Sequence, residues 1–256
     1  RKAGFNTPAF RLADSTSENI RFLEDHGIIV VKPAIGEQGK GITVGVEDPG
    51  EIETAVRRAR QFSERVLLES FHPGADLRII VINYKVVAAA TRTPARIVGD
   101  GRQSARTLVS KQSRRRSAAT GGESQIPIDA ETEACLAAAG YGYDDIIPAG
   151  DVVEVRRTAN LHTGGTIDDV TSTLHPKLVQ AAEQIAERLA IPVVGLDFIV
   201  EAPDQPQYVV IEANERPGLA NHEPRPTAQR FVDLLFPLSV EVAAGRIPPS
   251  SMRKTS

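Results

Sequence analysis

A single cysteine, Cys135, excludes an internal disulfide and a cysteine-based zinc site. No apolar run approaches the roughly 18 residues that a membrane-spanning helix needs, and no signal-peptide core is visible, which points to a cytoplasmic location. Neither sign of charge dominates: 30 basic and 33 acidic residues leave a net −3, which argues against a general nucleic-acid or membrane binder. No internal repeat is present. His162, His175 and His222 are not spaced as a zinc set and read as surface or supporting residues. At 256 residues, 41% of them hydrophobic and 25% charged, the chain can bury one large core or two smaller ones. It begins at Arg1 without a methionine, as a piece of a longer protein would.

Ser15-x-x-Glu18 reads as a capping box that opens a short helix ending at Gly27. Residues 28–33 and 42–46 read as strands joined by a glycine-rich loop over 34–41. Residues 49–62 have Ile52, Ala55, Val56 and Ala59 on one helical face, and 66–69 form another strand. A hairpin turns at Asn83-Tyr84-Lys85. A basic helix covers 103–118, a second helix 130–139 and a short strand 151–155, followed by a polar loop over 158–168. Residues 176–189 are strongly amphipathic. A last helix is expected over 227–244, interrupted near Pro237. Residues 1–14 and 248–256 read as extended or disordered ends.

Two apolar runs, 193–200 and 208–214, read as a hairpin with polar groups set into it. Regular alternation puts Glu212 and Asn214 on one face, with Val209, Ile211 and Ala213 on the other. A hairpin closing about Asp204-Gln205 sets Asp197 opposite Glu212. Facing carboxylates repel, and a hard cation such as Mg²⁺, which takes carboxylate and phosphate oxygens, removes that cost. An ordinary hairpin with a solvated polar face is the competing account.

Other groups gain meaning only in combination. Lys32 ends a buried strand beside Gly36-Glu-Gln-Gly39-Lys40-Gly41, a loop whose backbone N–H groups can approach phosphate. It is no Walker A loop, since no Ser or Thr follows Lys40 and a strand comes next. No His-Arg-Asp or Asp-Phe-Gly occurs, so the kinase lid that this loop also resembles loses support. Glu69, Ser70 and Phe71 lead out of a strand, a slot suited either to an adenine edge or to a solvated loop, and Asp76 follows within reach of a ribose. Arg78 and Arg156 lie in or beside apolar strands, where they pair with acids or face a phosphoryl group. Asn160-Leu-His-Thr163-Gly164-Gly165 offers oxyanion donors. Lys111, Arg114, Arg115 and Arg116 share one helix without interleaved aromatics, which favours a solvated or substrate-facing helix over a nucleic-acid face.

In this order the pieces resemble an ATP-grasp carboxylate–amine ligase over residues 15–240. The resemblance implies an α+β ATP-grasp fold, two α+β subdomains clasping ATP between antiparallel sheets. The small lid subdomain would cover 15–67, and the large subdomain with the Mg-binding hairpin would cover 68–247. It implies ATP binding by Lys32, Gly36, Gly39, Lys40, Gly41, Glu69, Ser70, Phe71 and Asp76. Asp197, Glu212 and Asn214 would hold two Mg²⁺ ions, with Mn²⁺ as a substitute. Arg78, Arg156 and Asn160 would steady the transferred phosphoryl group and an acyl phosphate.

Ala88-Ala-Ala-Thr-Arg92 and Thr158-Ala-Asn-Leu-His-Thr-Gly-Gly165 resemble the cyanophycin and bifunctional glutathione synthetases. Lys111-Gln-Ser-Arg-Arg-Arg116, Ala119-Thr-Gly-Gly-Glu123 and Gly218-Leu-Ala-Asn-His-Glu-Pro224 look closest to N-acetylglutaminylglutamine synthetase. That enzyme type joins an N-acetylglutamine-type acid to glutamine, making an osmolyte precursor. Arg115, Thr163, Gly164, Asn221 and His222 are the substrate candidates. Family members carry an N-terminal domain ahead of the lid that is missing here, so an upstream segment or a second copy is expected to complete the substrate pocket. A regulatory ATP-binding module without turnover, and a polyanion binder using the Arg114–Arg116 cluster, are the rival classes. The Asp197, Glu212, Asn214 set and the acidic net charge count against them respectively.

Overall fold

The computed structural model describes residues 4–36, 39–219 and 225–237. In chain order the elements are β1 (Phe10–Leu12), α1 (Thr16–His26), β2 (Ile29–Pro33), β3 (Thr43–Val46), α2 (Pro49–Arg60), β4 (Val66–Ser70), β5 (Ala75–Ile82), β6 (Lys85–Thr93) and β7 (Arg96–Val98). There follow α3 (Ala105–Ala119), α4 (Ala130–Ala138), β8 (Val152–Glu154), β9 (Thr166–Asp169), α5 (Pro176–Leu189), β10 (Val193–Val200), β11 (Tyr208–Asn214) and α6 (Thr227–Leu235). The chain divides into two compact units. The first holds Thr7–Asp76 and Arg92–Asp168; the second holds Arg1–Asn6, Leu77–Thr91 and Asp169–Ser256.

In the first unit, α1 and α2 cover a four-stranded sheet of order β1-β4-β2-β3. Phe22, Leu23, Ile52, Ala55, Val56 and Ala59 from the helices meet Ile29, Val31, Val46, Val66 and Leu68 from the strands. Burial of that apolar surface is the main force holding the layer together. Ser15 caps α1 through the Glu18 N–H at 3.4 Å, and Gly27 ends it with φ 75°. The expected box closes by half: the Glu18 carboxylate goes to Arg11 at 2.9 Å instead of returning to Ser15. That Arg11 belongs to β1, a strand within the stretch expected to be an extended or disordered end, and β1 pairs with β4 from Phe10↔Glu69 to Leu12↔Leu67. Three residues are too short to display a strand period.

Gly45, with φ 76°, takes up a register slip between β2 and β3, where Ile29 pairs with Val46 and Val30 with Val44. An extra glycine with positive φ is the usual content of such a bulge. A second core in this unit packs α3 and α4 on the two-stranded β7–β8 sheet through Ile97, Leu108, Val109, Leu136, Ile147 and Val153.

In the second unit, β5 and β6 turn through Asn83 and Tyr84, both with positive φ (52° and 60°). This is the twist that a two-residue hairpin favours. The sheet order is β11-β10-β5-β6-β9. The expected polar loop 158–168, which belongs to the first unit, contains a 3₁₀ turn, Leu161–Thr163, and the start of β9, a short polar strand at the sheet edge. Helix α5 buries Leu178, Ala181, Ala182, Ile185 and Ala186, the face its sequence period marks. Ile80, Ile82 and Ala88 form a smaller core with Val87, Val193, Leu219, Phe231 and Leu234. Helix α6 stops at Leu235, with Phe236 as its C-cap, earlier than the expected 244; residues 238–244 of that expectation lie outside the described residues. Among the described residues, no helix is long and apolar enough to cross a membrane.

Candidate active site

The β10–β11 hairpin pairs Asp197 with Glu212 and Gly195 with Asn214, then slips, so that Phe198 faces Val210 and Val200 faces Tyr208. Ile211 is left as the extra residue of a bulge. Partners in an antiparallel ladder share a face, so Glu212 and Asn214 lie on the face of Asp197 and Gly195. Val210 and Tyr208 lie on the face of Phe198, and the Phe198 and Tyr208 rings stack at 5.1 Å. The expected opposition of Asp197 and Glu212 is therefore observed, but regular alternation is not. Val209, expected opposite Glu212, pairs with Ile199 and joins the carboxylate face, because the bulge re-aims half the strand.

Asp197 is 7% exposed and ion-paired with Arg78, Nε to Oδ1 at 2.5 Å, with a hydrogen bond from Nη2 to Oδ2 at 3.1 Å. A buried carboxylate of this kind needs such a partner. Gly195 makes the pair possible: a Cβ there would lie 2.6 Å from Arg78 Nη1 and 2.9 Å from Pro217 Cβ. Glu212 is exposed, and Asn214 Oδ1 accepts from the Arg216 N–H at 2.9 Å. Among the described residues, no group of three His, Cys, Asp or Glu side chains gathers to hold a metal. The donor set of the hairpin is instead two carboxylates and an amide oxygen, all hard oxygen donors of the kind that Mg²⁺ takes, and in that respect it fits the ion.

In the first unit, Lys32 Nζ meets Glu69 Oε2 at 2.7 Å, with the side chains 16% and 13% exposed. The expected phosphate lysine and adenine-side acid are thus ion-paired across neighbouring strands. The Ser70 and Phe71 N–H groups already donate to Ala9 and Ile28 carbonyls, at 2.8 and 2.9 Å, so they are committed within the sheet. Asp76 Oδ1 accepts from both Nε and Nη2 of Arg92, at 2.9 and 2.7 Å. Gly36, Gly39 and Lys40 are exposed. Gly41 must be glycine, since its φ is +77° and a Cβ would press on Phe62 and Pro33, at 2.5 and 3.0 Å. Glu37 and Gln38 lie outside the described residues.

Arg156 is 7% exposed and gripped by acids: Nη1 to Asp129 at 2.7 Å and Nη2 to Glu131 at 2.6 Å. Asp129 caps α4 through the Thr132 N–H at 3.0 Å. Burial pushes the Asp129 carboxyl up, but the Thr132 amide and the Arg156 guanidinium outweigh it and hold it below the usual carboxylate range. The geometry thus gives Arg156 the work of anchoring α4. The signal for it was the acid-rich helix start, which sequence alone could not connect to an arginine more than twenty residues later.

Asn160 shapes the next loop. Its Oδ1 accepts from the His162 N–H at 2.9 Å, and its carbonyl accepts from the Gly165 N–H at 3.0 Å and the Thr163 hydroxyl at 3.2 Å. Gly164, with φ +94°, leaves no room for a Cβ against Ile126. Arg116 Nη2 donates to the Gly165 carbonyl at 2.7 Å, so Arg116 braces this loop while Arg115 points to solvent as an exposed residue. Asn221 and His222 lie outside the described residues.

No family model matches the chain. The fold is nonetheless that of the ATP-grasp ligases. A bifunctional glutathione synthetase from Pasteurella multocida superposes with a TM-score of 0.58 at 26% identity, over 93% of this chain and 34% of that one. The ATP-grasp ligase PsnB, solved with a precursor variant, Mg and ADP, matches with a TM-score of 0.51 at 14% identity, over 92% of this chain and 56% of that one. In sequence, the chain is a relative of cyanophycin synthetase from Nostoc sp. (strain PCC 7120), at 32% identity over 256 aligned residues. That match takes in 95% of this chain and only 28% of the relative's length.

Proposed function

We propose that this chain is the nucleotide-binding and catalytic part of an ADP-forming carboxylate–amine ligase of the cytoplasm, which joins its substrates through an acyl phosphate. The observation that carries the proposal is the placement of Asp197 opposite Glu212, with Asn214 on the same face. This arrangement has little purpose in a fold that merely binds nucleotide. The similarity to cyanophycin synthetase supports it.

By its motifs 15–67 is assigned to the lid subdomain and 68–247 to the large one, a division that differs from the compact units, in which 92–168 group with the lid residues. Lys32 and Lys40 neutralise phosphate oxygens, and Glu69 to Phe71 and Asp76 orient the adenine and ribose. For Lys32 and Asp76 this means exchanging or sharing the partners Glu69 and Arg92. Asp197, Glu212 and Asn214 would hold Mg²⁺, which when bound would neutralise phosphate charge. Arg78 orients Asp197 and would steady the transferred group, a role the motif also assigns to Asn160. Arg156 would take part on the same terms, by giving up Asp129 or Glu131, to which both of its terminal nitrogens are ion-paired. No covalent nucleophile is required, since phosphoryl transfer depends on positioning and charge neutralisation.

The substrate pair we favour is an N-acetylglutamine-type acid and glutamine. This rests on the segments 111–116, 119–123 and 218–224, with a further domain or a second copy completing the pocket. The cyanophycin synthetase similarity favours a second reading, a peptide ligase for a different amino-acid pair. Full-length protein incubated with ATP, Mg²⁺ and each acid–amine pair should release ADP and phosphate only when both partners are present. No release with any pair would overturn the ligase assignment, and release with a different pair would select the second reading.

A further inference from the structure

Building on that assignment, we infer that Arg157 is a positioning residue: its guanidinium holds β3, and with it Lys40 just ahead of that strand, against the 154–160 segment. The residue lies between the buried Arg156 and the Asn160 loop, and nothing in the sequence singles it out.

The geometry begins at Glu131. One carboxylate oxygen pairs with Arg156 Nη2 at 2.6 Å, and the other accepts from the Arg157 backbone N–H at 3.1 Å. A single side chain in the first turn of α4 therefore holds the Arg156 guanidinium and the Arg157 backbone together. From that fixed point the exposed Arg157 side chain reaches out, and its Nη1 donates to the Val44 carbonyl at 3.0 Å. Val44 belongs to β3, the edge strand of its sheet. An edge strand presents backbone groups that no neighbouring strand covers, and Arg157 gives this one a charged donor. Thr158 meets the same hairpin closer to its tip: a Cβ on Gly39 would stand 3.6 Å from Thr158 Oγ1.

Successive residues thus face Gly39 and Val44, which bracket Lys40 in the chain. All of these groups belong to one compact unit. A hairpin held on its β2 side alone can open by breaking that one ladder. Held also by Arg157, it presents Lys40 in a narrower range of positions, so less ordering remains to be done when a nucleotide binds.

The test compares wild-type full-length protein with Arg157→Ala and Arg157→Lys, with two readouts. Without nucleotide, the Arg157→Ala change should speed amide hydrogen exchange in Thr43–Val46 by about fivefold and leave Val66–Ser70 unchanged. Lysine, which keeps a charged donor, should recover most of the protection. In turnover, Arg157→Ala should raise the KM for ATP by about fivefold and alter kcat by less than about twofold. Unchanged exchange in Arg157→Ala overturns the contact, and a kcat loss with unchanged KM overturns the positioning role. If the wild type binds no ATP by calorimetry, the assigned function itself fails, and the exchange data still decide whether Arg157 holds β3.

Discussion

Asp197 on β10 and Glu212 on β11 are register partners, and the ladder slips by one residue directly beyond them. The two differ in surroundings: Asp197 is buried and ion-paired with Arg78, while Glu212 is exposed. Glu212→Ala should therefore cost little stability. It should lower Mg²⁺-dependent turnover by about two orders of magnitude or more, since a metal clamp is worth several kcal/mol. Thermal unfolding and ADP release, measured on the same sample, check both halves. Unchanged turnover would remove Glu212 from the site.

Asp197→Ala should behave differently, because it strands the Arg78 guanidinium, whose side chain is 15% exposed. Breaking a buried pair from one side costs about 3 kcal/mol. A urea midpoint matching that of Glu212→Ala would contradict this account.

Gly195→Ala adds one methyl where Arg78 and Pro217 leave no space. Arg78 can swing away, but Pro217 cannot, so a stability loss of about 1–3 kcal/mol is expected, with turnover lost as Arg78 leaves Asp197. Full activity in this variant would show that Arg78 need not lie where it does.

Arg156→Ala leaves two acids facing each other at the start of α4. Asp129 and Glu131 are 44% and 34% exposed, so water relieves part of the penalty, and the loss should be about 2–3 kcal/mol. Arg156→Lys should recover less than half of it, since an ammonium cannot span both carboxylates. Chemical denaturation curves of the three proteins test the order.

Acid should remove the contribution of one further pair. Arg225 hydrogen-bonds Asp169 through Nε at 2.5 Å and Nη2 at 3.1 Å, and chiefly through that contact it lowers the Asp169 pKa to about 2. The unfolded carboxyl titrates near ~3.9. The pair therefore stabilises the fold above that value and loses its effect as pH falls towards 2. Both groups are well solvated, so the effect is small. The unfolding midpoints of wild type and Arg225→Met should differ at pH 5 and draw together as the pH falls to 2 and below. A gap at pH 2 as wide as that at pH 5 would assign the stabilisation to something other than this carboxylate.

The legible parts were those with a local cause. Ser15 and Gly27 bound α1 because capping is settled within one turn. The face of α5 follows from its period, and a turn was expected at Asn83-Tyr84-Lys85, although Lys85 already opens β6. What stayed hidden depends on distant partners or on elements too short for a pattern. The three residues of β1 are recognisable only beside β4. The acids that bind Arg156 precede it by more than twenty positions. The capping box at Glu18 failed on one side because Arg11, from a strand that was not foreseen, competes for the carboxylate. At the candidate site, closure about Asp204-Gln205 led to the opposition of Asp197 and Glu212, but the ladder nearer the turn pairs Val200 with Tyr208, and it is the unforeseen bulge that restores the expected partner.

Because Ile211 has no partner, the seven residues of β11 change phase partway along. Tyr208 and Val210 answer to the packing around Phe198, while Glu212 and Asn214 answer to the carboxylate opposite. Side chains two apart, which in a plain strand would share one fate, here belong to separate traits. Substitution at Val210 should be felt as folding stability and substitution at Glu212 as chemistry. A lineage can thus retune either one along a single short strand without disturbing the other.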